Sequence, residues 1–173
     1  MKAKLGVVLL APVTGVVLLA AIASAAGDTP GSFSPTGSMA VKRVGPDAAP
    51  LPDGRALVAG GFDGTNFLQS AEIYDPATGS FVPTGSMAVK RSNPAAAPLA
   101  DGRVLVAGGF DGATELQSTE IFNPATGSFA PTGSMAVKRQ EPAAAPLADG
   151  RVLVVGGFDG ANFQQSAEIF NPA

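Results

Sequence analysis

The chain has 173 residues, 46% of them hydrophobic, and a net charge of −3, so it can bury a core and is not a disordered polyelectrolyte. Cys, His and Trp are absent, which excludes disulfides, thiol or imidazole catalysis, Ser/His/Asp triads and zinc sites built from Cys and His. The slight acidity argues against a general nucleic-acid binder, and 22 Gly with 15 Pro argue against long helices.

Lys2 and Lys4 precede an uncharged apolar run over residues 5–26 that ends in Ala23-Ser24-Ala25. A basic start, an apolar stretch and small residues at its end predict a secretory signal peptide over residues 1–26. Loss of the two lysines takes the charge from −3 to −5 for the exported part, residues 27–173. A run of about 20 apolar residues is also long enough to remain as a membrane anchor. Pro12, Gly15 and the lack of a basic cluster after the run favour removal, which predicts an extracellular or periplasmic protein with no membrane attachment.

The rest of the chain is periodic. Pro35-Thr36-Gly37-Ser38-Met39 returns at Pro83 and at Pro131, and Gly60-Gly61 returns at Gly108 and at Gly156, always at a step of 48 residues. About three quarters of the positions are identical between the first two copies. A constant period of this length signals a repeat architecture, with units at about 40–87, 88–135 and 136–173.

Each unit reads as four short strands. In the second, Ala95-Ala96-Ala97-Pro98-Leu99 is followed by the tight-turn pair Asp101-Gly102, and then by the apolar strand Val104-Leu105-Val106-Ala107. A continuous apolar strand is expected where both faces are covered. Gly108-Gly109 ends it and invites close backbone approach. A loop over 110–117 leads to Ser118-Thr119-Glu120-Ile121-Phe122, a turn at Asn123-Pro124-Ala125-Thr126-Gly127, and a last strand from Ser128 toward Met135. Four antiparallel strands repeated radially make propeller blades, so the predicted fold is all-β.

These motifs resemble the kelch repeat. The resemblance rests on Gly-Gly after an apolar strand, on Ser70-Ala71-Glu72-Ile73-Tyr74-Asp75-Pro76 with its relatives at 118–124 and 166–172, and on Ala-Thr-Gly-Ser-Phe leading to Met. It implies β-propeller blades that bind partners through the loops on one face. Phe33, Phe81 and Phe129 stand where kelch units usually carry Trp. Pro46, Pro94 and Pro142 stand where secreted kelch units often carry His, and are expected at or near the innermost strand. Some kelch propellers are copper oxidases using His, Tyr and Cys ligands; here His and Cys are missing and Tyr74 is the sole Tyr. The expectation is therefore a protein that is not an enzyme and needs no metal or cofactor.

Three units raise a question of closure, because propellers have four to eight blades. Residues 31–39 read as an outer strand without its blade, and the third unit stops at Asn171-Pro172-Ala173, before its own outer strand. Three readings follow: two chains forming a six-bladed homodimer by exchange of that strand, an incomplete array, or a strained ring of three.

Differences between the copies gather in two loops that a four-stranded meander puts at one end. One holds Asn66 and Phe67, Thr114 and Glu115, Asn162 and Phe163. The other follows the pairs Lys42-Arg43, Lys90-Arg91 and Lys138-Arg139 and includes Asn93. These thirteen residues are the candidate ligand contacts for a protein or glycan. The Lys-Arg pairs would form a basic ring that attracts an acidic ligand. The competing role for each Arg is an ion pair with Glu72, Glu120 or Glu168. Asp63-Gly64, Asp111-Gly112 and Asp159-Gly160 read as turn formers. The rival to a binding module is a structural element whose blades associate without a separate ligand.

Overall fold

The computed structural model describes residues 30–172; the proposed signal segment, residues 1–26, lies outside the described residues. Three antiparallel sheets follow in order. The first contains β1 (Asp47–Pro50), β2 (Ala56–Ala59), β3 (Ala71–Asp75) and β4 (Ser80–Pro83). The second contains β5 (Ala95–Pro98), β6 (Val104–Ala107), β7 (Thr119–Asn123) and β8 (Ser128–Pro131). The third contains β9 (Ala143–Pro146), β10 (Val152–Val155) and β11 (Ala167–Phe170). Each sheet is a meander with neighbours in chain order, and the register is conserved: Leu57 faces Ile73, Leu105 faces Ile121, and Leu153 faces Ile169.

The units are thus propeller blades, as their periodicity predicts. The first strands lie side by side in the order β1, β5, β9, and Ala96 N donates to Asp47 Oδ2 across the first pair at 2.6 Å. Pro46, Pro94 and Pro142 each stand just before this innermost strand, where the missing N–H costs no ladder bond. No ring of three forms: the outward sides of the first and third blades stay open, with Val44 73% and Ile169 48% exposed.

Two details differ from the sequence reading. Residues 31–39 form no strand, because an outer strand exists only as the fourth member of a sheet. The last strand of the second unit stops at Pro131, before Met135. The chain there leaves β8 to run along the loop before β7, with Met135 N donating to Gln117 O at 2.8 Å.

Two apolar clusters glue the blades together. Leu57, Ile73, Met87, Val104, Val106 and Phe122 fill the space between the first and second. Leu99, Leu105, Met135, Val152 and Val154 fill the space between the second and third. β6 is buried along its whole length, whereas β2 and β10 alternate buried with half-buried residues. All three strands are equally apolar in sequence; only the middle one has a neighbour on each face.

Candidate functional site

The segment that carries each Lys-Arg pair crosses from one blade to the next. Its Arg does not face solvent. Arg91 Nη1 donates to the carbonyls of Gly108 (2.9 Å) and Ser118 (2.8 Å), and Nη2 donates to Ser118 Oγ (3.0 Å) and Glu120 Oε1 (3.1 Å). The Glu120 carboxylate also accepts from Ala88 N at 2.7 Å and Val89 N at 3.2 Å, so it clasps the incoming connection at three points. Arg43 with Glu72, and Arg139 with Glu168, repeat this at 3.0 and 3.1 Å. None of the three Arg side chains has exposed surface.

This corrects the basic ring: Arg43, Arg91 and Arg139 are structural. A guanidinium buried in a propeller must be paired and hydrogen-bonded, and each is. Burial pulls Arg91 below its ordinary range, while the Glu120 charge opposes that pull. Burial likewise pushes Glu72 up, but the Ala40 N–H, the Arg43 guanidinium and the Val41 N–H outweigh it and leave the carboxyl below its usual range.

The backbone of the same Arg meets the preceding blade. Arg91 O accepts from Gly61 N at 2.7 Å, and Arg139 O accepts from Gly109 N at 2.8 Å. The Gly doublets exist for this approach: Gly60 and Gly108 have φ of +71° and +67°, and a Cβ on either would collide with that carbonyl oxygen.

The loops between the second and third strands share the end of the blades that carries these connections, as the antiparallel bridges Val44–Phe62 and Ser92–Phe110 show. Asp63 Oδ1 accepts from Thr65 N and Asn66 N, both at 2.7 Å, which locks the loop. Asp111 and Asp159 do the same in their blades. The turn-forming role read from Asp-Gly is therefore what the geometry shows. The N–H groups of Asn66 and Thr65 hold the Asp63 carboxyl below its ordinary range, against burial and with help from Asn66 Nδ2 and the nearby Lys42 charge. Asp111 and Asp159 are lowered for the same first cause.

The remaining candidates divide into two groups. Lys42, Lys90 and Lys138 are exposed, and so are Asn66, Thr114 and Asn162 at the loop tips. Of the others, Phe67, Glu115 and Asn93 reach neighbouring blades, and Phe163 stays on its own. Phe67 stacks on Phe62 with centroids 4.9 Å apart and sits edge-on to Phe110 of the next blade at 5.3 Å. Glu115, its counterpart in the second blade, reaches toward Gly160 of the third. Asn93 N donates to Gly45 O at 2.7 Å and Asn93 Nδ2 to Glu141 Oε1 at 2.7 Å, linking three blades beside the innermost strands. Phe163 is 90% exposed and packs on Phe158 at 5.5 Å. Sequence reasoning missed the contacts between blades at 67 and 115, because a period says which residues are equivalent and not which ones touch.

The lowered carboxyls set a pH dependence. A group whose pKa is depressed by folding adds stability that is complete above its unfolded value, about 4 for Asp and Glu, and that fades as the pH falls through the folded value. Glu72, Glu168, Asp63, Asp111 and Asp159 are all of this kind. With no His in the chain, thermal unfolding by circular dichroism is expected to give a flat Tm between about pH 5.5 and 8 and a falling one below about pH 4. A fall between pH 7 and 6 would contradict this account.

Comparison with known proteins agrees with the blades. The Kelch motif family matches residues 48–88, 91–136 and 142–173, nearly the span of the three sheets. No curated protein matches the chain. Together the three meanders, the Gly doublets seated against the next connection and the family match make this chain a member of the Kelch motif family, built of β-propeller blades of the kind that typically serve as binding modules.

Proposed function

We propose that the chain is an exported, non-catalytic binding module that takes a protein or glycan ligand on the loop face. The supporting observation is that three loops of the same backbone construction, each locked by its own Asp, hold different exposed side chains. Thr65-Asn66, Ala113-Thr114 and Ala161-Asn162 are the tips, and Lys42, Lys90 and Lys138 stand at the same end. A rigid frame with variable polar tips binds without an ordering cost. Amides, hydroxyls and ammonium groups suit sugar hydroxyls, carboxylates and peptide backbone. The described interior of the blades holds apolar side chains and the Arg–Glu pairs, whose polar groups are already hydrogen-bonded to one another and to backbone.

The test is a titration of the purified chain against a panel of neutral and uronate-bearing glycans and a peptide library. The triple variant Asn66→Ala, Thr114→Ala and Asn162→Ala runs alongside. These tips are exposed, so the Tm is expected to hold, while affinity for whichever probe binds falls at least about tenfold. Failure to bind any probe, or binding indifferent to the triple variant, would overturn the reading.

A further inference from the structure

We propose that the innermost edge of the blades, formed by β1, β5 and β9, recognises the guanidinium group of an arginine-bearing peptide. This site is separate from the loop tips and does not depend on them. In an antiparallel ladder, alternate residues point both backbone groups away from the partner strand. Leu51 N, Leu99 N and Leu147 N donate to the carbonyls of Arg55, Arg103 and Arg151, each at 2.8 Å, so the odd-numbered residues of these three segments face their own sheets. The even-numbered residues face away from the sheets: Ala48 and Pro50, Ala96 and Pro98, Ala144 and Pro146.

That edge is one-sided. Proline has a carbonyl and no N–H, so six carbonyls face away from the sheets against three N–H groups. Two of the three N–H groups are already used: Ala48 N donates to Asp47 Oδ1 at 2.8 Å, and Ala96 N to Asp47 Oδ2 at 2.6 Å. None of the six carbonyls accepts a hydrogen bond from another described residue. Ala48, Pro50 and Pro146 are exposed, and Ala96, Pro98 and Ala144 are half-buried, so these acceptors are within reach of a ligand. A peptide adding as a strand needs donors and acceptors in alternation and meets mostly acceptors here. A guanidinium brings five N–H donors and no acceptor, which matches the edge.

The charges agree. Asp47 stands on this edge where the second and third copies carry Ala95 and Ala143. Glu141 stands at the entrance to β9. Glu141 N donates to Asn93 O at 3.0 Å and Asn93 N to Gly45 O at 2.7 Å, a chain of bonds across the starts of all three innermost strands. Asn93 Nδ2 donates to Glu141 Oε1 at 2.7 Å, which leaves this exposed carboxylate its second oxygen. Residues 44–50, 92–98 and 140–146 contain no Lys or Arg. Arg55, Arg103 and Arg151, in the turns beyond, are paired with Asp53, Asp101 and Asp149. The edge therefore holds carboxylate and carbonyl oxygens without a cation of its own. Carbonyls two residues apart on a strand are about 7 Å apart. Oxygens spread in this way suit a planar fork of donors, whereas a metal ion needs them gathered at one point.

The test is a calorimetric titration of the whole chain, at about 0.15 M salt, with a tetra-arginine peptide and with its citrulline counterpart, which keeps the shape and loses the charge. Saturable binding of the arginine peptide is expected, at least about tenfold tighter than that of the citrulline peptide. Asp47→Ala and Glu141→Asn each install a residue that another copy carries at the same place. Each is expected to weaken binding about threefold or more. Asp75→Asn removes the same charge in the turn between β3 and β4, where the other copies carry Asn123 and Asn171, and is expected to change nothing. The triple variant of the loop tips is also expected to bind the arginine peptide like the parent, so this site and the loop face stand or fall separately. Absence of binding, equal binding of the citrulline peptide, indifference to both Asp47→Ala and Glu141→Asn, or an equal loss with Asp75→Asn or with the tip variant would overturn the proposal.

Discussion

Replacing Arg91 with Ala is expected to destabilise the chain by about 3–5 kcal/mol, measured by urea denaturation. The change strands Glu120, which is buried among the second blade's strands and still bound to Ala88 N and Val89 N. It also removes the donor that satisfies Gly108 O, while Ser118 O keeps Gly108 N as a donor at 3.2 Å. Replacing both partners by apolar residues would often rescue a buried ion pair. Here it is not expected to, because the pair satisfies Ala88 N and Val89 N of the connection and Gly108 O of the second blade, and each one left bare costs about 1–3 kcal/mol. The double variant Arg91→Met with Glu120→Leu is therefore expected to stay at least about 2 kcal/mol below the parent. Arg103, paired with Asp101 at 2.6 Å but partly open to water, is the control. Its replacement by Ala is expected to cost about 0–1 kcal/mol. Equal losses at Arg91 and Arg103 would remove the clasp from the account of stability.

Gly108→Ala is expected to cost about 3–5 kcal/mol, and Gly156→Ala only about 1–2 kcal/mol in the lone chain. The two glycines share a left-handed backbone, with φ +67° and +68°, so the conformational penalty is common to both. They differ in what lies opposite. At Gly108 the new methyl would strike Arg139 O, the acceptor that ties the third blade's connection to the second blade. At Gly156 the nearest atom is Gln164 O at 3.8 Å. The difference between the variants thus measures the close approach between blades alone. Equal costs would mean that the doublet serves only its own turn.

Much of this arrangement is legible in the residues. The 48-residue step, the Asp-Gly turns and the short apolar runs identify blades, since a strand of four residues bounded by Gly and Pro has few other ways to satisfy its backbone. The loop face is legible too, because antiparallel meanders send alternate connections to the same end. The fate of the Lys-Arg pairs is only half legible. Both residues are long, basic and invariant in the three copies, and local sequence does not say that Lys90 stays in water while Arg91 is drawn beneath the loop by Glu120, 29 positions later.

Phe67 and Phe163 show the same division. They occupy one place in the repeat, each after Asn in a loop opened by Asp-Gly, with Leu68 following the one and Gln164 the other. One is half-buried against Phe110 and the other is 90% exposed. The sequence by itself determined what each unit is: its strands, its turns, the glycines its backbone requires, and the absence of thiol and imidazole chemistry. Only the tertiary structure decided which surfaces each unit shares with a neighbour, and hence which identical residues are core, clasp or open surface. Burial belongs to the packing of one sheet on the next, and a repeat carries the same side chains whether or not that next sheet is there.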